Sequence, residues 1–573
     1  MSLSLAGYLA TSLSMCLPAL SRADVFVNQA APGCGTATGT AAKPFCTIAE
    51  AVNSAAPGDT IRIAPGSYLE SLVLNQDVTL IGTGGDGATT LNAFGGSGVT
   101  IDTGVSVTID GLTIRDGRGW AGGGILVSGD LVLRNSTVTE NHVDSFYPQT
   151  TPRSGGGGIA TGDSNASVTI RNCAVTNNSA GSAVGNETGG ALLFTADQLT
   201  ISGTTISGNT SQFTAGIVVV TNTVEISNTT ISDNIGSYGG GAGINCASGT
   251  GLLSNLTITN NQTVFGAGGL STIGVSMRNS IVADNYSFYP EQADIGSAPT
   301  SLGYNLIGVG NGGLANGVNG DQVGFIATPL APLLGPLQDN GGRTETHALL
   351  AGSSALDAGD PVSFLPEDQR GLPRPSGTLA DIGAFEHFDT LPDLCNGDGG
   401  DQMGCTACPC MNDAAPGTIG GCLNSAGSSA RLIGSGSTSV SALPMSTNDL
   451  RFGLTGAPPK AFCILTSGDG VAPLNPMNPC FSLNSGLNSA FYDGLRCAVL
   501  NTRRHGGRVV DLGGEIGFTN NGWGGEDNPQ VGLTHTFAPG QTRYWQAIMR
   551  DDATLSCMRG LNTSQAVEVV FSP

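Results

Sequence analysis

The feature that most constrains this chain is a repeat. A stretch read as VTIDGLTIRDG from Val107 returns as LVLRNSTVTEN from Leu131, VTIRNCAVTNN from Val168, LTISGTTISGN from Leu199, VEISNTTISDN from Val224, LLSNLTITNN from Leu252 and VSMRNSIVADN from Val275. Its closing residues, Gly117, Asn141, Asn178, Asn209, Asn234, Asn261 and Asn285, are separated by 24, 37, 31, 25, 27 and 24 positions. A base period of about 24 with occasional insertions marks a solenoid, in which each unit buries its apolar face against its neighbours. Within each unit apolar and polar residues alternate with a period of two, and no ten-residue window carries a helical stripe, so the units read as strands.

A glycine-rich entry announces a second short strand in each unit: GGGILV from Gly122, GGGGIA from Gly155, GGALLF from Gly189, AGIVVV from Ala215, GAGINC from Gly241 and GAGGLS from Gly266. Glycine and asparagine tolerate the left-handed backbone that sharp turns need. The balance of 88 glycines against 12% charged and 5% aromatic residues suits stacked turns better than helix surfaces. Two or three strands per coil, each pairing with its equivalent one coil on at about 4.8 Å, predict an all-β parallel β-helix with repeats over residues 78–278. Asn135, Asn172, Asn228, Asn255 and Asn279 fall at matching bends, with Gly203 in the unit that lacks asparagine, and their amides are expected to stack as a register-setting ladder. Ahead of the repeats, residues 24–77 read as an N-terminal cap and first coil. Thr47 to Ser54 is a short helix stopped by Pro57-Gly58, which would cover the open end of the solenoid.

The unit Φ-x-Φ-x-N-x-x-Φ-x-x-N, covering about Val78 to Asn285, resembles the right-handed parallel β-helix family, the fold of pectate lyases, polygalacturonases and many surface proteins. The resemblance implies a right-handed coil and no particular activity, because that fold hosts lyases, hydrolases, adhesins and inert scaffolds. Further on, NSIVADN from Asn279, DIGSAPTSLGYNLIG, PLLGPLQDNGGRTETHALLAGSSALDAGDP, DQRGLPRP and ADIGAFE resemble, in order, the choice-of-anchor Q domain of secreted bacterial proteins. That likeness implies a segment, 279–388, that closes a β-helix ahead of a sorting or anchoring tail. Residues 389–410 read as a Cys/Gly-rich linker and 411–573 as a β-sandwich-like domain of short alternating strands. Through GCLNSAGSSARLIGSG, YDGLRC and YWQAIMRDD this last region resembles C-terminal modules of proteins secreted by environmental bacteria.

A formal charge of −22 leaves no electrostatic footprint for nucleic acid or anionic membranes. Residues 1–23, MSLSLAGYLATSLSMCLPALSRA, read as a secretory signal, and no later segment holds the roughly 18 uninterrupted apolar residues of a membrane span. The expectation is a monomer that is extracellular or on the outer cell surface. With Cys16 removed, 13 of the 14 cysteines remain. In an oxidising compartment Cys34 and Cys46 are expected to form a disulfide clasp, and Cys395, Cys405, Cys408, Cys410 and Cys422 to form disulfides in preference to a zinc cluster.

Enzymes that cleave acidic polysaccharides need calcium held by carboxylates beside an arginine base, or paired carboxylates acting as acid and base. The clustered Asp-Asp and Gly-His-Asp motifs of the hydrolases and the Arg-x-Pro-x-x-Arg run of many lyases are missing. The best local candidate joins IRDGRGW, from Ile114, to TENHVDSFYPQTTPRSGGGG, from Thr139. It offers Asp116, Arg118, Glu140, His142, Asp144 and Arg153 as catalytic candidates, with Trp120 and Tyr147 as substrate-binding rings. Asp116 and Glu140 hold equivalent places in successive units, so coil stacking would bring them together, and the second segment opens the longest gap in the period. No cofactor is required; calcium is the cation these carboxylates, or Asp398 and Asp401 in a Gly-rich loop, would take. The leading reading is an adhesive or carbohydrate-contacting scaffold whose partner is an extracellular polysaccharide or cell-surface glycan. The alternatives are a polysaccharide lyase or glycoside hydrolase acting on acidic polysaccharide, and a purely structural repeat protein of the envelope.

Overall fold

The structure is a computed structural model. It describes residues 24–387 apart from 33–36, 86, 144–154, 163–164, 182–188, 238–240, 311–312 and 373, and then 393–394, 424, 428–435, 451–458, 460–468, 470–471, 498–500, 503–509, 523–524, 542–550 and 561–570.

Alternation of apolar and polar residues builds the solenoid. In the strand Asp130–Arg134, Leu131 and Leu133 are buried while the residues between them are exposed, and equivalent strands above and below repeat the pattern. Pairing is parallel and matches like with like: Val107 with Leu131, Leu131 with Val168, Val168 with Leu199, and Leu199 with Val224. The inward side chains form one continuous apolar core from Val25 to Val323. At roughly 25 cal/mol per Å² of apolar surface removed from water, this shared core is the main favourable term for the coils. Two or three strands per coil were expected. The coils also carry a fourth, of two residues, and these stack into a separate seven-stranded parallel sheet running from Arg118–Gly119 to Tyr286–Ser287.

The predicted cap is present as the helix Ile48–Ser54. Thr47 caps it through a reciprocal box with Glu50, and both carboxylate oxygens of Glu70 accept its first free N–H groups, from Ile48 at 2.8 Å and Ala49 at 2.9 Å. Ile48, Ala51 and Val52 are buried beneath it. Cys46 is disulfide-bonded; Cys34, its expected partner, lies outside the described residues, as do the expected signal at 1–23 and the cysteine cluster from Cys395 to Cys422.

The asparagine ladder exists, but not in the column expected for it. Asn135, Asn172, Asn228, Asn255 and Asn279 do take left-handed backbone, at φ of 43° to 53°. Gly203 replaces them once, at φ 60°, where a Cβ would come within 2.3 Å of Asn172 Oδ1. Among the described residues their amides do not hydrogen-bond one another. Asn135 donates to Asp110, Asn228 to Glu367 O and Asn279 to Ser363 O, and the Asn255 amide has no hydrogen-bond partner among the described residues.

The ladder is built by the closing residues of the repeat. Asn141, Asn178, Asn209, Asn234 and Asn261 each donate from Nδ2 to Oδ1 of the next asparagine at 2.9–3.0 Å, ending on Asn285. Each of these Oδ1 atoms also accepts the backbone N–H of the preceding asparagine, and each Nδ2 sends its other hydrogen to a carbonyl one coil back, as Asn234 does to Ile206 O at 3.0 Å. Asn285 passes the chain to the buried Asp294 at 2.9 Å, whose other oxygen accepts Val309 N–H at 2.7 Å. The physical reason for the shift is position. These asparagines follow a left-handed residue, which turns them into the core, whereas the expected column is itself left-handed and faces outward.

What it faces is a returning segment, 334–387, that runs back along the coils. Its hairpin pairs Leu334–Gln338 with Thr346–Leu349. Arg343 donates to Asn135 O, Thr205 donates to Glu345 O, Gln369 bonds both Thr205 and Thr230, and Gly383 N–H reaches Asn279 O. Outward-pointing Thr205, Thr230 and Ser232 are therefore buried. The segment is held internally by buried ion pairs, Arg374 with Glu386 at 2.9 Å and Arg370 with Asp368 at 2.7 Å.

Beyond it, described strands form a five-stranded antiparallel sheet (Asp393–Leu394, Leu561–Val570, Thr542–Arg550, Phe462–Gly468, Arg503–Val509) and a three-stranded one (Arg431–Ser435, Arg451–Thr455, Trp523–Gly524). Phe452 of one stacks on Trp545 of the other with centroids 4.6 Å apart, both fully buried, which joins the sheets face to face.

Two expectations follow. Asn234→Ala strands two N–H donors of Asn209 and the carbonyl of Ile206, and is expected to cost about 2–4 kcal/mol, whereas Asn255→Gly, at a left-handed position with an unbonded amide, costs under about 1 kcal/mol. Urea unfolding of the two variants checks the order, and equal costs would contradict the ladder's place. Second, burial pushes Asp294 and Asp381 up to about 6 and Glu386 up to about 7, outweighing the N–H donors and Arg374 that favour their ionised forms. A carboxyl raised in the folded state stabilises fully below its ordinary value, 3.8 or 4.5 here, and that stability is lost as pH rises through the folded value. Tm by calorimetry should therefore fall from about pH 5 to about pH 8; a flat or climbing profile would overturn this.

Candidate functional site

The sharpest turns of each coil are held by a second column of left-handed residues: Asp116, Glu140, Asn177, Gly208, Asp233, Asn260 and Asp284, at φ of 55° to 65°. Asp and Asn adopt this backbone at modest cost, and Glu less readily. Asp116 and Glu140 thus sit one above the other, as equivalence in the repeat requires. Between them lies a residue that the sequence pattern passes over. Arg115 Nε donates to Asp116 Oδ2 at 3.0 Å, and its Nη2 donates to Glu140 Oε2. All three side chains are 39–52% exposed, so these ion pairs contribute under about 1 kcal/mol each. Their chemical effect is larger, because both carboxylates are turned toward a guanidinium and compensated by it.

Arg118 and His142 lie on the adjacent seven-stranded sheet, where they are direct register partners. In each of its two-residue strands the first residue is exposed or half-buried and the second is buried, as in Arg118–Gly119 and His142–Val143. The outward row reads Arg118, His142, Ser179, Thr210, Ile235, Gln262 and Tyr286 in consecutive coils. His142 Nδ1 is 2.6 Å from Ser179 Oγ, so the imidazole is oriented along the row. Trp120 stands beside Arg118 with 47% of its surface in solvent. The structure therefore brings Asp116 and Glu140 together around Arg115, and Arg118 together with His142. Asp144, Tyr147 and Arg153 lie outside the described residues, as do Asp398 and Asp401. Among the described residues no three His, Cys, Asp or Glu side chains are placed to hold a metal ion, and no helix is long and apolar enough to cross a membrane.

The far end of the same row carries a feature that sequence reasoning missed. Phe265, Tyr286, Phe288 and Tyr289 are all exposed, Tyr286 and Phe288 by 58% and 63%. Phe288 and Tyr289 meet edge to face with centroids 5.6 Å apart, and Phe265 lies 6.1 Å from Tyr289. In a chain with 5% aromatics, four exposed rings on two successive coils form a distinct platform. The pairing of Gln262 with Tyr286 is the register that assembles it. The run YSFYP from Tyr286 was its one local signal.

The family description "Right handed beta helix region" matches residues 97–287. Among solved structures, the crystal structure of pectate lyase Pel9A is similar at 15% identity and a TM-score of 0.33, over 64% of this chain and 98% of that one. No curated protein matches the chain. Parallel strand register, coil after coil, together with the match to residues 97–287, makes the solenoid a right-handed parallel β-helix.

Proposed function

We propose that this is a secreted or cell-surface scaffold that holds a glycan along the outward row of its seven-stranded sheet. The observation that carries the reading is the aromatic platform of Phe265, Tyr286, Phe288 and Tyr289, continuous through Gln262, Ile235, Thr210 and Ser179 with His142 and Arg118, two residues from the exposed Trp120. Rigid exposed rings stack on the C–H faces of pyranoses, and the amide, hydroxyl and imidazole groups between them suit sugar hydroxyls. Coils about 4.8 Å apart present such groups at regular intervals to an extended chain. In this reading the 279–388 segment acts as a choice-of-anchor Q-like closure, supported by its return along the coils, and the C-terminal domain serves for sorting or attachment. Export through an N-terminal signal, a monomeric state and a non-essential calcium belong to the same proposal.

A lyase or hydrolase acting on acidic polysaccharide is the second reading, favoured by Arg118 and His142 standing on neighbouring strands beside two carboxylates. A purely structural envelope protein is the third.

Retention of the purified protein on immobilised acidic and neutral polysaccharides, with and without calcium, tests the proposal. Binding without new reducing ends or unsaturated products is expected, and the double variant F288A/Y289A should weaken it about tenfold, the scale of two lost ring contacts. Turnover abolished by Asp116→Ala or Arg118→Ala would replace the scaffold with the enzyme. Neither retention nor turnover on any glycan would leave the structural reading standing.

A further inference from the structure

One contact between the returning segment and the coils does not balance in protons. His347, on the hairpin strand Thr346–Leu349, is 2% exposed. Its Nδ1 lies 2.7 Å from Gly335 O, its Nε2 lies 2.8 Å from Ser232 Oγ, and that hydroxyl lies 2.7 Å from Asp233 Oδ2. A carbonyl closes one end of this chain and a carboxylate the other, and neither donates. Three gaps therefore need three protons, while a neutral imidazole and a hydroxyl supply two. Gly335 O fixes one proton on Nδ1. The hydroxyl proton must then serve either Nε2 or Asp233. Asp233 is exposed, so water satisfies it, whereas Nε2 is buried and has no other donor among the described residues. At neutral pH the hydroxyl proton accordingly belongs to Nε2, and the hairpin is tied to the coil.

We infer that His347, Ser232 and Asp233 form an acid-sensitive latch: a proton taken up by the imidazole reverses the Ser232–His347 bond and loosens the hairpin from the β-helix. In the charged state the closed hairpin fills all three gaps, with Nε2 donating to Oγ and the hydroxyl turned to Asp233, but only by keeping the 2% exposed imidazolium away from water, and opening the hairpin returns it to solvent. The cost is an imidazolium in a dry site. The charged groups that face it are Asp233 from the coil and Glu345 beside it in its own chain; the opposing strand Leu334–Gln338 offers only the Gly335 carbonyl. Burial lowers the His347 pKa below its ordinary 6.5, against the raising effects of Gly335, Asp233 and Glu345. For a base depressed in this way, the stabilising contribution is complete above the ordinary value and is lost as pH falls through the folded one. This runs opposite to Asp381 and Glu386 in the same segment, so the contributions offset one another in global Tm and the latch is read by local opening of the hairpin.

Hydrogen exchange of residues 344–349 in the full chain, corrected for intrinsic rates, reads the latch. Protection should drop at least tenfold between pH 7.5 and pH 5.0 in the natural protein and stay level across that range in His347→Gln, which fills the site without titrating. If that variant docks poorly at every pH, the natural protein decides alone, through the NMR titration of the His347 ring: a midpoint below 6.5, lower still in Asp233→Asn, supports the latch. Equal protection at the two pH values, or a midpoint at or above 6.5, overturns it.

Discussion

Everything in the solenoid depends on equivalent residues meeting across successive coils, and the buried amide ladder is where that meeting is most tightly specified. An apolar stack tolerates a small slip, because one methyl contact resembles another. An amide stack does not. Each of Asn178, Asn209, Asn234 and Asn261 offers two donors and two acceptor sites inside the core, and each is filled only when the coil above and the coil below are in register. A shift of one residue would leave buried N–H groups unpaired in every coil it crossed, at about 1–3 kcal/mol each. The stack runs unbroken across the long spacings before Asn178 and Asn209.

The same logic explains the returning segment. A row of Thr and Ser at outward positions would suit water, yet Thr205, Thr230 and Ser232 are sealed off and instead hydrogen-bond Glu345, Gln369 and His347. Upstream, where Thr137, Thr139 and Thr176 hold the corresponding positions, the coil surface is only partly covered. The charged cluster around Arg115 lies on this more open stretch.

The period and alternation made the solenoid legible, because both are local properties that strand geometry imposes directly: the coil and its inward residues follow from spacing, and the capping helix at Ile48 from its Ala, Ile and Val content and the Pro57-Gly58 stop. Which of two asparagine columns enters the core was not legible, since both recur with one period and differ only in whether the left-handed residue is the asparagine itself or the residue before it. Arg115 escaped notice because it reads as an ordinary outward strand residue until Glu140, 25 positions away, stacks above Asp116. The aromatic platform needed register, and the path of residues 334–387 needed contacts such as that between Arg343 and Asn135, 208 positions apart. No local pattern encodes a separation of that size.

The ladder also has a direction. Gly117 N–H feeds Asn141, every amide then donates onward, and the series stops at Asp294, whose carboxylate accepts and has nothing to pass on. Such a column behaves like a sentence with a fixed first and last word and interchangeable words between. A whole coil could be duplicated or lost between Gly117 and Asn285 without changing what its neighbours must supply, whereas no coil could be added past Asp294 on the same rule. Length in this protein is therefore an open variable within two closed ends, and lineages or engineers can alter the reach of its surface by copying units and leaving the termini alone.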